Sequence, residues 1–167
     1  MKDDFLWVEK YRPTHIEHCI LPKDIKDTFQ SFVKKGEVPN LLLCGTAGIG
    51  KTTIAKALCN EIGVDSYMIN GSDEGRFLDT VRNSAKQFAS TVSLTSSSKH
   101  KVIIIDEADN TTHDVQLLLR ASIEEFQKNC RFIFTCNFKN KIIEPLHSRT
   151  TVIDCNVRGK QKQEIAA

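Results

Sequence analysis

Short apolar runs alternate along the chain with longer segments in which apolar residues recur every three or four positions. The runs predict strands at residues 41–44, 66–70, 101–106, 131–137 and 150–155. The segments with helical spacing predict helices at residues 23–34, 53–58, 77–88 and 114–126. Strands and helices that alternate in this way predict an α/β fold, in which an open parallel sheet carries helices on both faces.

A glycine-rich loop lies between the first predicted strand and the helix that follows it. The loop fits the pattern G-x-x-x-x-G-K-[ST] and consists of Gly45, Thr46, Ala47, Gly48, Ile49, Gly50, Lys51 and Thr52. Backbone N–H groups of such a loop surround phosphate oxygens, and the next helix adds partial positive charge. Lys51 would neutralise the β- and γ-phosphates of a bound nucleotide, and the Thr52 hydroxyl would ligate Mg²⁺. The alternative is a strand-to-helix turn without a ligand, which four fixed positions in this context disfavour.

The apolar run at residues 102–105 ends in two carboxylates, Asp106 and Glu107. A run of this kind is typical of a parallel strand that is buried on both faces, and ligands bind at the carboxyl ends of such strands. Asp106 is therefore expected in the Mg²⁺ shell, and Glu107 is expected to polarise the attacking water. The alternative is a strand followed by an acidic turn.

Composition restricts the class of protein less than the motifs do. The 167 residues suit one domain, and 40% of them are hydrophobic. Lysine and arginine number 23 against 21 acidic residues, so any surface for nucleic acid must be a local patch. None of the six cysteines forms a C-x-x-C pair, which favours buried reduced thiols over zinc ligands or disulfides. The chain shows no signal-peptide h-region and no membrane-length apolar run, so we expect a cytoplasmic protein.

Four further segments, taken with the two motifs, resemble the AAA+ ATPases and, among them, the sliding-clamp loaders. They are residues 7–13 (WVEKYRP), 70–73 (NGSD), 135–137 (TCN) and 142–150 (IIEPLHSRT). The first resembles the N-terminal box of replication factor C small subunits, and the last resembles the segment with their arginine finger, although Thr150 replaces the usual cysteine. Residues 19–22 and 81–90 bring the likeness closest to the clamp-loader ATPase subunit of T-even-type phages. A phage-encoded protein of this kind would be expected in the host cytoplasm.

This resemblance implies a three-layer P-loop NTPase fold of the AAA+ RecA-like type, with a five-stranded parallel sheet. Residues 1–39 would form an N-terminal arm and first helix of the AAA+ module, and residues 40–156 the ATPase core. Residues 157–167 would begin a helical lid domain. Clamp-loader subunits continue into this lid and a helical collar, and both are expected to be absent from this chain.

The resemblance also assigns roles in ATP binding and hydrolysis. The adenine and ribose end of the site would be lined by Val8, Glu9, Lys10, Tyr11, Arg12 and Ile20, which could instead pack on the core. The phosphate end would include Thr53 after the glycine-rich loop. Asn137 would orient the water and the γ-phosphate, with a turn-forming amide as the alternative. Arg149 would act in trans on ATP held by a neighbouring subunit, with a surface ion pair as the alternative. Asn70 would help to position Glu107.

The partners implied by the resemblance are a sliding clamp, primed DNA and other clamp-loader subunits in a ring-like hetero-oligomer, and no membrane. Candidate DNA contacts are Arg76, Arg82 and Lys86, with Arg120 as a weaker candidate. Such residues would bind backbone phosphates without sequence preference, although basic residues on an exposed helix face are often only solvated.

Three other functions compete with clamp loading. Residues 106–109 spell DEAD, but the further motifs and the second domain of a DEAD-box helicase are not found. An AAA+ replication initiator or Holliday-junction motor would lack the match at residues 9–13. A scaffold subunit that binds ATP without hydrolysing it would not need Lys51, Glu107 and Arg149 together.

Overall fold

The computed structural model describes residue 16 and residues 21–73, 79–90 and 100–156. Five strands and five α-helices alternate along these ranges. In chain order they are α1 (Lys23–Lys35), β1 (Leu41–Cys44), α2 (Lys51–Ile62), β2 (Ser66–Asn70), α3 (Lys86–Ser90), β3 (Lys101–Asp106), α4 (His113–Glu125), β4 (Cys130–Cys136), α5 (Glu144–Ser148) and β5 (Thr151–Asp154).

All five strands belong to one sheet in the order β2-β3-β4-β1-β5, and every neighbouring pair is parallel. The predicted five-stranded parallel sheet is therefore confirmed. Strand β4 separates β1 from β3, and Leu43 pairs with Thr135 across the β1–β4 boundary. Because parallel strands end at the same edge, this order brings the loops after β1, β3 and β4 together.

Apolar side chains cover both faces of the sheet, as the continuous apolar runs predict. On one face, Phe132 and Phe134 of β4 pack with Leu119 and Ile123 of α4. On the other face, strand residues such as Leu41, Leu43 and Ile133 pack with Phe29 of α1 and with Ile54 and Leu58 of α2. The result is the predicted three-layer arrangement, and the central strands contribute to both layers.

Local signals explain where the helices begin and end. Helix α1 ends at Gly36, whose φ of 69° and backbone N–H bond to Val33 O form a left-handed C-cap. Helix α4 begins after Thr112, whose hydroxyl accepts from the backbone N–H of Val115 at 3.3 Å. The helix expected at residues 77–88 is described from residue 79, where a π-helical turn at Thr80–Ala85 precedes α3.

The cysteines in the described ranges are buried with free thiols, in agreement with the sequence prediction for Cys44, Cys59, Cys130, Cys136 and Cys155. Cys19 lies outside the described residues. A search of the described helices finds none whose length and apolar character would allow it to cross a membrane.

Candidate functional site

The glycine-rich loop joins β1 to α2 at the carboxyl edge of the sheet. Gly48 and Gly50 both have a φ of 83°, a conformation that favours glycine because it has no Cβ. Helix α2 starts directly at Lys51, and its first intrahelical bond runs from Ile54 N to Gly50 O at 2.9 Å. The fixed glycines therefore turn the chain into a helix whose N-terminus faces the loop, which is the geometry of an anion site.

The Lys51 ammonium group lies inside this loop, and the residue is only 8% exposed. It donates to the carbonyl oxygens of Gly45 at 2.7 Å and Thr46 at 3.0 Å, and to Asn137 Oδ1 at 2.8 Å. The three ammonium protons thus have three acceptors, which offsets the cost of burying the charge. The contact with Asn137 joins two sequence-predicted residues that lie 86 positions apart.

A second contact joins the loop to the end of β3. Thr52 Oγ1 donates to Asp106 Oδ1 at 2.6 Å, and Thr135 Oγ1 donates to the same oxygen at 2.6 Å. The hydroxyl of Thr52 and the carboxylate of Asp106 are the oxygen donors that Mg²⁺ prefers, so this pair fits the metal that a P-loop ATPase uses. Thr135 itself is buried in β4 and was not among the predicted site residues.

Glu107 follows β3 with a φ of 53° and ψ of 48°. It is the non-glycine residue with positive φ in the described part of the chain, and such residues concentrate at functional sites. Its backbone N–H donates to Thr135 Oγ1 at 3.0 Å. A Cβ on Gly71 would lie 2.6 Å from Glu107 O and 3.0 Å from Asp106 O, so only glycine fits beside this turn. The neighbouring Asn70 accepts from Ser72 N and Ser72 Oγ.

Sequence reasoning also missed two residues that hold the loops of this site. Asn156 Oδ1, after β5, accepts from Thr46 N at 2.9 Å and from Thr46 Oγ1 at 3.3 Å. Asp109 Oδ2, after β3, accepts from the backbone N–H groups of Asn137 and Phe138, both at 3.1 Å. Both are single polar residues whose partners are remote in sequence. A prediction of the strand order would have indicated that the loops carrying these two residues lie close to the site.

A cavity of about 340 Å³ opens beside Asn156, between the start of α1 and the end of β5. Its wall combines apolar and polar side chains, namely Pro22, Asp24, Ile25, Thr28, Val152, Ile153, Asp154 and Asn156. Because Asn156 also contacts Thr46, this cavity adjoins the glycine-rich loop. Its volume falls in the range of small-ligand sites.

Arg149 and Lys86 form ion pairs with residues of α4. Arg149 Nε donates to Glu124 Oε1 at 2.7 Å, and its Nη2 contacts the same oxygen. Lys86 Nζ lies 3.8 Å from Glu125 Oε1, and both side chains are more than half exposed. The alternative contact considered for Arg149, a surface ion pair, is thus present within the chain.

Several predicted site residues lie outside the described part of the chain. They are Val8, Glu9, Lys10, Tyr11, Arg12, Ile20 and Arg76, together with the side chain of Arg82. The remaining phosphate-loop residues, Ala47, Ile49 and Thr53, stand where the motif requires them, between β1 and the first turn of α2.

Comparisons with known proteins agree with this geometry. The chain is 45% identical over 152 residues to the replication factor C small subunit of Methanoculleus marisnigri, covering 88% of this chain and 47% of that protein. It is 46% identical over 148 residues to the sliding-clamp-loader large subunit of Escherichia phage RB69, covering 87% and 45%. These identities are comparable, and the chain spans about half the length of the curated relatives it matches.

The solved structure of the Thermotoga maritima RuvB Holliday junction branch migration motor superposes with a TM-score of 0.68. Its identity is 21%, and the match covers 92% of this chain and 52% of that one, so this likeness shows the fold alone. The profile of the ATPase family associated with various cellular activities (AAA) matches residues 41–155, from the first strand to the residue after the last. The chain therefore belongs to the AAA family of ATPases.

Proposed function

We propose that this chain is the ATPase module of a sliding-clamp-loader subunit, which uses ATP to open a ring clamp and load it on primed DNA. One observation carries the ATPase part of the proposal. Lys51 and Thr52 begin α2, Asp106 ends β3 and Asn137 follows β4, and hydrogen bonds join these three segments at one edge of the sheet. The names of relatives at 45–46% identity support the clamp-loading part.

In this proposal the triphosphate of ATP lies along the loop at residues 45–53. Lys51 would exchange one of its present acceptors for phosphate oxygens, and Thr52 with Asp106 would hold Mg²⁺. The metal would supply positive charge that offsets the charge of the phosphates. Glu107 would take a proton from the attacking water, and Asn137 would keep that water and the γ-phosphate aligned.

The base of ATP would extend from the loop toward the cavity beside Asn156. The apolar side chains of Ile25, Val152 and Ile153 on its wall could contact a flat base, and Asp154 and Asn156 could contact the ribose. The arm at residues 1–39, with Val8 to Arg12 and Ile20, would complete this end of the site. Residues 157–167 would begin a lid over it.

Arg149 would act on ATP held by the next subunit of a ring. Its ion pair with Glu124 is partly exposed, so a phosphate with greater charge could compete for the guanidinium group. Assembly of the ring would then bring the Arg149 guanidinium group of one subunit to the ATP site of the next. ATP would favour the closed ring only if it binds that form more tightly than the open one.

Primed DNA would be held through its phosphates by Arg76, Arg82 and Lys86. The exposed Lys86 side chain supports this role, since its pairing with Glu125 at 3.8 Å is weak and exchangeable. Arg120 on α4 stays a weaker candidate, because its Nε is a buried side-chain nitrogen that a DNA phosphate could not reach.

ATP hydrolysis by the assembled protein, measured with its clamp and a primed template, tests the proposal. We expect the clamp and the primed template to stimulate hydrolysis together by more than the sum of their separate effects. Stimulation by single-stranded DNA alone would instead indicate a helicase or an initiator. Tight ATP binding without hydrolysis in any mixture would indicate a scaffold subunit.

Two variants separate binding from hydrolysis in the same assay. Lys51→Ala should abolish ATP binding, because it removes the charge that faces the phosphates. Glu107→Gln should retain ATP binding and lower hydrolysis, because the amide cannot accept the proton from water. Hydrolysis by Glu107→Gln at the parent rate would show that Glu107 is not the base.

A further inference from the structure

The carboxylate of Asp109 is buried at the carboxyl edge of the sheet and has no role in the chemistry proposed above. Its Oδ2 accepts from the backbone N–H groups of Asn137 and Phe138, both at 3.1 Å. These bonds cross from the turn after β3 to the first two residues after β4, and Asp109 itself is only 9% exposed. A carboxylate that accepts hydrogen bonds from two backbone N–H groups stabilises the position of the loop that carries them.

The first two residues of the loop that Asp109 holds are not fixed by burial of their side chains. Strand β4 ends at Cys136, and the side chains of Asn137 and Phe138 are both exposed, with Phe138 at 56%. Packing into the core therefore does not determine where the backbone of these two residues runs. Phe138 contacts the next turn, where Lys141 N donates to Phe138 O at 3.1 Å and Lys141 Nζ lies 5.0 Å from the centroid of the Phe138 ring. The Asn137 amide nevertheless has to reach Lys51 Nζ, which it contacts at 2.8 Å.

Asp109 stands on a turn that is itself well fixed. Asn110 N donates to Glu107 O at 3.0 Å, and Thr111 N donates to Ala108 O at 3.1 Å. Ala108 is fully buried beneath this turn. The same turn begins with Glu107, so one short segment carries the proposed base and the group that holds the Asn137 backbone.

We propose that Asp109 is a positioning residue for ATP hydrolysis. It keeps the Asn137 amide aligned with Lys51 and with the γ-phosphate end of the nucleotide. Asp109 acts through the backbone of residues 137 and 138 and does not itself touch ATP. The inference rests on the proposed ATPase function, and it adds a link between the turn after β3 and the loop after β4.

Two variants in the assembled ATPase test this role. Asp109→Ala removes both bonds, and we expect hydrolysis at saturating ATP to fall at least tenfold while the affinity for ATP changes less than threefold. Asp109→Asn keeps one side-chain oxygen as an acceptor, and we expect it to recover most of the rate. A residue that only stabilises the fold would lower the unfolding midpoint without this separation of rate from affinity.

A double-mutant cycle with Asn137→Ala tests whether Asp109 affects the rate of hydrolysis through Asn137. If Asp109 acts through Asn137, Asp109→Ala should change the rate less than twofold when Asn137 is already alanine. Asp109→Glu, which keeps the charge but displaces the oxygens, serves in the same cycle if the alanine variant does not fold. An equal loss of rate in both backgrounds, or a rate for Asp109→Ala within twofold of the parent, would overturn the inference.

The failure of this inference is distinguishable from failure of the proposed function. A parent protein that does not bind ATP through Lys51 would overturn both. A parent that hydrolyses ATP at the same rate as Asp109→Ala would overturn only the role of Asp109.

Discussion

Thr135 joins Asp106, the proposed metal ligand, to Glu107, the proposed base, with a single hydroxyl group. Its Oγ1 donates to Asp106 Oδ1 at 2.6 Å and accepts from Glu107 N at 3.0 Å. Thr135→Val keeps the shape and removes both bonds, which leaves a backbone N–H without its acceptor. We expect urea unfolding to show a loss of about 1–3 kcal/mol, and ATP hydrolysis to fall with it.

The matched control is Thr151→Val, because Thr151 lies on the edge strand β5 and is exposed. A change of no more than about 0.5 kcal/mol is expected there. Equal losses at the two positions would show that the buried hydroxyl of Thr135 is not what stabilises the turn.

His100 supplies a pH dependence far from the site. Its Nε2 accepts from the backbone N–H of Val38 at 3.3 Å, which requires the neutral ring. Burial lowers the pKa of His100, and the positive charge of Arg131 lowers it further, while Glu37 opposes them. The unfolded chain thus takes up this proton more readily as pH falls through about 6.5. Stability from His100 is complete above that pH and is lost as pH falls toward the lower folded-state pKa.

Urea unfolding at pH 7.5 and pH 5.5 measures this effect. His100→Gln offers Val38 an oxygen that does not titrate, so the variant should lose less stability on acidification than the parent does. The same pH dependence in both proteins would assign the change to other groups, such as carboxylates.

At the scale of elements, Gln116 ties helix α4 to the segment that leads to Arg149. Its Nε2 donates to Thr111 O at 3.3 Å and Lys141 O at 3.0 Å, and its Oε1 accepts from Ile143 N at 2.7 Å. The side chain is 2% exposed. Gln116→Leu would leave these backbone groups unpaired, and we expect a loss of roughly 2–4 kcal/mol in urea unfolding.

Gln127→Leu makes the same chemical change in the exposed turn after α4 and provides the control. It should alter stability by less than about 0.5 kcal/mol. If Gln116→Leu proves as mild as this control, the three bonds do not hold the segment to α4.

The elements also show why sequence predicted one part of the site and not another. Strand β2 occupies the predicted residues because a short apolar run lies between turn-forming residues. Lys51 and Thr52 could be predicted because their motif is contiguous in sequence and its glycines are required by the local backbone conformation. Asp109 and Asn156 could not, since each holds a loop remote in sequence, and a lone polar residue does not indicate which loop it faces.

At the scale of the molecule, the order β2-β3-β4-β1-β5 makes nucleotide binding and folding depend on each other. The glycine-rich loop, the Asp106 turn and Asn137 follow three adjacent strands, so the site exists only when β1, β3 and β4 are paired. A ligand that needs all three loops therefore binds the folded chain and not the unfolded one. By mass action, such a ligand stabilises the fold in proportion to the logarithm of its concentration.

ATP with Mg²⁺ should accordingly raise the melting temperature of this chain. At a concentration one hundred times Kd the stabilisation is about 2.7 kcal/mol, which corresponds to roughly 5–11 °C for a domain of this size. Lys51→Ala should lose this shift, whereas Lys56→Ala, an exposed lysine on the same helix, should keep it. Differential scanning fluorimetry across a titration of ATP measures all three proteins. An equal shift for Lys51→Ala and the parent would mean that ATP binds without the glycine-rich loop, and the coupling between the site and the sheet would have to be abandoned.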